Sequence, residues 1–315
     1  MAGVRAATCI SSNPNVDAEY VTISNLTVDC NWAELSQTAD AGAGGEKNIK
    51  TIAILLFGSN NLIDHVRSIN TYGSWANQVE QFAITLAGPR SMDGTNNVIQ
   101  FCRAELPQGN YGNPFSLQGW HFSPPYYLIT NSRVDSCTAV GVNNGLVSGF
   151  TSGGANLSNV KDCWVQNNTF TDCNGAAYID VGSVDGLHVL NNTVVRGWLG
   201  VGISTHDLPK QNVEISGNNF SIQNRVPGGG SYGIVLDYAT TTNLTMNGNT
   251  INFDSSGQGL AQFRGVMGNL LNTATISNNT IGVAADVANM ASGSGLIMFN
   301  NRNPDGTLIP GLNNR

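Results

Sequence analysis

Five times in its second half the chain returns to one short pattern: an alternating apolar run, an Asn or Gly-Asn break, and a second apolar run. The copies are Cys163-Trp-Val-Gln-Asn-Asn168-Thr-Phe, Leu187-His-Val-Leu-Asn-Asn192-Thr-Val, Val213-Glu-Ile-Ser-Gly-Asn-Asn219-Phe, Leu244-Thr-Met-Asn-Gly-Asn249-Thr-Ile and Ala274-Thr-Ile-Ser-Asn-Asn279-Thr-Ile. Weaker copies lie at Val21-Thr-Ile-Ser-Asn25-Leu-Thr-Val and Leu128-Ile-Thr-Asn131-Ser-Arg-Val. Aligned on Asn168, Asn192, Asn219, Asn249 and Asn279, the steps are 24, 27, 30 and 30 residues. A period of two marks strands, and runs this short cannot bury a face alone. Successive copies must therefore stack, one repeat to a coil. Asn suits the bend because it tolerates a left-handed backbone and its amide can bond the coils above and below.

Composition points the same way. Of 315 residues only 11% are charged and 37 are Gly, with four lysines in all, which excludes a protein of long helices. A hydrophobic share of 41% is enough for a real core and excludes disorder. The 14 basic and 21 acidic residues are scattered, leaving no electrostatic footprint for nucleic acid. No apolar run approaches the length of a membrane span, and Met1-Ala2-Gly3-Val4-Arg5 lacks the layout of a signal peptide. The Asn-rich, Lys-poor composition favours a secreted or cell-surface protein whose leader is absent from this chain.

The Asn-Asn-Thr-Phe/Val/Ile and Gly-Asn-Asn-Phe units, over residues 20 to 301, resemble the right-handed parallel β-helix of the pectate lyase-like (pectin lyase-like) superfamily. The resemblance implies an all-β, single-stranded right-handed parallel β-helix, a solenoid of roughly ten coils with an Asn ladder. It does not choose an activity, because polysaccharide lyases, polygalacturonase-type hydrolases, alginate epimerases and phage tailspikes are alike at this level. The expected organisation is a single domain over 1–315. Within it, 1–19 is an N-terminal cap or lead-in, 71–127 holds irregular coils with an aromatic loop, and 302–315 is a C-terminal cap or tail.

Cys30, Cys137 and Cys173 recur at one offset from Asn25, Ser132 and Asn168, which would set Cys137 beside Cys173. A disulfide there is one reading; the favoured one is that all six cysteines are small apolar core residues, since their spacing fits no zinc or redox motif. The glycosylation-type sequons, Asn25-Leu-Thr and Asn191-Asn-Thr among them, mostly coincide with the ladder and read as buried bends.

Chemistry on a solenoid belongs to outward positions. In Ala177-Tyr-Ile-Asp-Val181, Gly202-Ile-Ser-Thr-His206-Asp, Gly233-Ile-Val-Leu-Asp237-Tyr, Leu260-Ala-Gln-Phe-Arg264 and Leu296-Ile-Met-Phe-Asn300, alternation turns Ile179, Ile203, Ile234 and Leu296 inward. Tyr178, Asp180, Ser204, His206, Asp237, Arg264 and Asn300 then face out, with Asn143 extending the line. Such a stripe suits an oligosaccharide: hydroxyls need paired donors and acceptors, and Tyr offers a stacking face. Trp120, in the aromatic stretch Gly119-Trp-His-Phe-Ser-Pro-Pro-Tyr-Tyr, either overhangs a groove or covers the coil below.

Two reactions compete. Asp180 and Asp237, two coils apart at about 9 to 10 Å, would suit inverting glycoside hydrolysis, with His206 between them to orient or tune. In β-elimination His206 or Tyr178 would be the base and Arg264 the neutraliser of a uronate carboxylate. Hydrolysis is slightly favoured because Lys and Arg are scarce on this face. The polygalacturonase series Asn-Thr-Asp, Asp-Asp, Gly-His-Gly and Arg-Ile-Lys is missing, as is the epimerase Asp-Pro-His-Glu, and no metal or cofactor is expected, calcium not being indicated. The rival is a non-catalytic structural, adhesive or filament-forming module, tailspike-like or self-assembling, because an open stack exposes strands that invite homo-oligomers or end-to-end assembly.

Overall fold

A computed structural model of the chain describes residues 5–31, 49–73, 81–105, 108–109, 112–119, 126–141, 154–179, 182–205, 208–223, 230–254, 262–282 and 288–313. Its strands form one 21-stranded and one 9-stranded parallel sheet, wound as a solenoid with three faces. The fold is the expected all-β parallel β-helix. The first face includes Gln81–Ala87, Gly112–Gln118, Ala155–Ser158, Ala177–Ile179, Leu199–Ser204 and Gly230–Asp237, each paired with the next. The third runs from Thr27–Asp29 through Thr169–Thr171 and Thr193–Gly197 to Thr280–Ile281.

The second face shows why the repeat is legible. A left-handed residue opens it in every coil, at Tyr20, Asn60, Asn96, Asn131, Asp162, Gly186, Asn212, Asn243, Thr273 and Gly295. Another closes it five residues later, at Asn25, His65, Phe101, Ser136, Asn167, Asn191, Gly217, Gly248, Asn278 and Asn300. Among the described residues there are thus ten coils, and no insertion falls between these corners. The inward residue midway forms an unbroken aliphatic column: Ile23, Ile63, Ile99, Val134, Val165, Val189, Ile215, Met246, Ile276 and Met298. Each fully buried member contributes about 1.5–3 kcal/mol relative to exposure. Length variation, from 22 to 40 residues per coil, is taken up on the other two faces.

The repeat therefore has two bends, and the sequence reading merged them: Asn131 lies at the first corner and Asn25 at the second. At the second corner the two positions of the Asn doublet do different work. The first is left-handed and exposed; the next is buried and forms the ladder through Asn168, Asn192, Asn218, Asn249, Asn279 and Asn301. The rung in the seventh coil is Asn218, not Asn219, because Gly217 takes the left-handed position there and moves the frame by one. The sequon residues Asn25, Asn167, Asn191 and Asn278 are the exposed members, not the buried ones.

Cysteine extends this ladder downward. The Cys137 amide donates to Asn168 Oδ1 at 2.8 Å and the Cys102 amide to Cys137 Sγ at 3.4 Å. Cys137 thus neighbours Asn168 and Cys102 rather than Cys173. All six cysteines are free, and burial pushes the Cys163 thiol up to about 12. At the N-terminal end Arg5–Ser11 already pairs in register with Ile49–Ser59. At the other end residues 301–313 fold back over the last coil, with Leu312 buried and Asn313 bonded to Asn301 as a final rung.

Candidate functional site

The middle of the first face carries the outward side chains closest to those expected. Register sets Tyr178, Gly202, Val235 and Met267 in one outward column across four coils. Two residues further along, Ser204 pairs with Asp237. Ile179, Ile203 and Leu236 lie between these columns and point into the core.

Gly202 makes room for a flat aromatic floor. A Cβ there would lie 3.1 Å from Tyr178 Cδ2 and 3.4 Å from Cε2, so the phenol ring reaches up from its own coil and covers the glycine. Val235, outward yet only 7% exposed, continues the apolar floor. On one side Trp198 and Tyr232 meet edge to face, centroids 5.8 Å apart at 90°. On the other, Ser204 Oγ donates to Asp237 Oδ1 at 2.5 Å, fixing the carboxylate's orientation.

Beneath this edge Lys210 is fully buried. Its Nζ donates to the Asp237 carbonyl at 2.6 Å and to Thr205 Oγ1 at 3.3 Å. Burial lowers the amine from 10.5 to about 8, opposed by the nearby Asp237 carboxylate.

Of the residues read from sequence, Tyr178 and Asp237 share the face. Arg264 pairs with Tyr232, five positions before Asp237 along the strand, but its guanidinium reaches along its own strand to within 3.1 Å of Met267 Sδ, and Met267 pairs with Val235 in the floor column. Asn300 is removed from the stripe: it is a left-handed corner after the second face, bonded to Asn278 at 2.7 Å. Asp180, His206, Asn143 and Trp120 lie outside the described residues. Among the described residues no three His, Cys, Asp or Glu side chains gather as a metal site, and no helix is long and apolar enough to cross a membrane.

Three features were missed. Trp198 and Tyr232 precede strict alternation, because Gly200 and Gly233 turn toward the core where a Cβ would strike Phe220 and Ile251. Lys210 falls in an inward column with Val184, Thr241 and Leu271, where a charge is not expected. On the second face Trp164 stacks on His188 at 5.2 Å and 8°, and His188 Nδ1 lies 3.0 Å from Glu214 Oε2. This row was readable, since those three residues occupy the same place in consecutive repeats.

No family model and no curated protein matches the chain. Among solved structures, the Dettilon tailspike protein matches at 15% identity and a TM-score of 0.44, covering 95% of this chain and 61% of its own. A mutant tailspike protein of E. coli bacteriophage HK620, solved in complex with a pentasaccharide, matches at 15% identity and a TM-score of 0.48, covering 82% of this chain and 55% of its own. A mannuronic acid specific polysaccharide family 6 lyase from human gut microbiota matches at 10% identity and a TM-score of 0.30, covering 94% and 74%. The chain spans little more than half the length of the tailspikes it matches.

Proposed function

We propose that the first face, over coils six to nine, binds an oligosaccharide segment of an extracellular or surface polysaccharide. The observation that carries this reading is the phenol of Tyr178 packed over Gly202 beside a carboxylate held in place by Ser204. A sugar ring offers an apolar face and a rim of hydroxyls; the floor takes the first and Asp237 accepts from the second. Hydrolysis is the favoured reaction, with Asp237 and Asp180 as the carboxylate pair and His206 tuning them. The scarcity of Lys and Arg on this face supports this over elimination, which needs a cation close to the acidic proton.

The test is a panel of neutral and uronate polysaccharides, read for binding, for new reducing ends and for the ultraviolet absorbance of an unsaturated uronate. Asp237→Asn should remove reducing-end release, and Tyr178→Ala should weaken binding by about 1 kcal/mol beyond the lost contact area. Unchanged binding and turnover in both variants would sink the assignment.

A second reading has its own observation. The tenth coil exposes Ile297 and Phe299, 60% and 47% accessible, on Ala288–Phe299, a strand that among the described residues pairs only with Gln262–Ser277. An apolar free edge suits a structural or adhesive module, and binding without turnover across the panel, together with self-association, would favour it.

A further inference from the structure

Lys210 is anomalous in the core. Its column-mates Val184, Thr241 and Leu271 carry no charge, and an apolar side chain would fill the place without desolvating an ammonium. The fold therefore does not need this cation, and its bonds show what it serves. Lys210 belongs to the seventh coil, yet its Nζ reaches the carbonyl of Asp237 in the eighth while holding Thr205 in its own. Thr205 in turn donates to the Leu208 carbonyl at 2.5 Å, closing the turn that follows Ser204. Ser204 and Asp237, the pair at the edge of the proposed binding face, each lie directly beside one of the two anchored points.

We propose that Lys210 is a positioning residue, a buried tether that joins the turn after Ser204 to the Asp237 end of the next coil and so fixes the serine–carboxylate pair on the binding face. The inference rests on the first face being that binding face. Burial holds the amine near 8, below its hydrated 10.5, so loss of its proton favours the closed tether over an opened one that returns the amine to water. Among the described residues, the charged and titratable groups nearest Lys210 on the neighbouring strands are Asp237, Tyr238 at an exposed corner, and Asp185, whose carboxylate accepts from Asn212; His188 and Tyr232 lie further along those strands. His206 and Asp207, between Thr205 and Leu208 in the sequence, lie outside the described residues.

The test needs no sugar. Hydrogen exchange read by mass spectrometry on the full chain compares wild type with Lys210→Met, which keeps length and burial. At neutral pH, segments 204–209 and 237–240 should exchange about tenfold faster in the variant, with flanking strands unchanged. Raising the pH from about 8 toward 10.5 should protect the same segments further in wild type alone, after correction for intrinsic rates. Thr205→Val should loosen 204–209 in the same way. Exchange in these segments that is unaltered by Lys210→Met, or raised no more than in the flanking strands, overturns the tether. So does an identical pH dependence in both proteins. The two readings fail separately: sugar binding that is unaltered in Tyr178→Ala defeats the binding face, whereas unaltered exchange in Lys210→Met defeats the tether.

Discussion

Single residues set the floor of the site and the pH response of the fold. Gly202→Ala would put a methyl 3.1 Å from the Tyr178 ring, tighter than ordinary contact, so the phenol must tilt off the sheet. The expected outcome is a folded protein with weakened oligosaccharide binding, checked by circular dichroism and calorimetry. Lys210 gives a signed pH effect. Its folded value near 8 lies below the ordinary 10.5, so between those two values the unfolded chain holds a proton that the native state has released. Stability from this group therefore rises with pH across that window, and urea denaturation should show the rise in wild type and its loss in Lys210→Met. The sequence could not reveal this, because Leu208-Pro-Lys210-Gln reads as an exposed turn until the register stacks Lys210 on Val184.

At the scale of the element, the Asn doublet separates two jobs that look identical in sequence. Asn218 accepts from the Asn192 amide and from Asn192 Nδ2, and donates to the Val189 carbonyl and to Asn249 Oδ1, all between 2.8 and 3.0 Å. Replacing it by Ala strands several buried partners, so a loss of at least about 1–3 kcal/mol is expected. Asn219→Ala, one residue away on an exposed position, should stay within about 0.5 kcal/mol. Chemical denaturation of the two variants checks both the ladder and its frame. Periodicity revealed that a ladder exists; which Asn bears it depends on whether Gly217 or an Asn takes the left-handed corner, a choice made by stacking against Asn191.

Over the whole molecule, stability is a sum of neighbouring coils, so the ends matter most. The C-terminal residues supply the ladder's last partners, Asn301 Nδ2 donating to the Ile276 and Leu312 carbonyls and Asn313 bonding back to Asn301. Truncation after Phe299 should leave the Asn279 rung open and increase self-association, read by light scattering against the full chain. The sequence by itself determined the strand–bend–strand repeat and the need to stack, because periodicity and bend chemistry are local properties of the chain, and its resemblance implied a parallel solenoid of roughly ten coils. Only the tertiary structure decided that Asn218 is the rung, that Cys137 joins the ladder, that Asn300 leaves the stripe, that the Arg264 guanidinium lies against Met267, and that Lys210 is buried under Asp237. Those facts depend on which residues lie one coil apart, and coils of 22 to 40 residues hide that register until the second face, constant from corner to corner, aligns them.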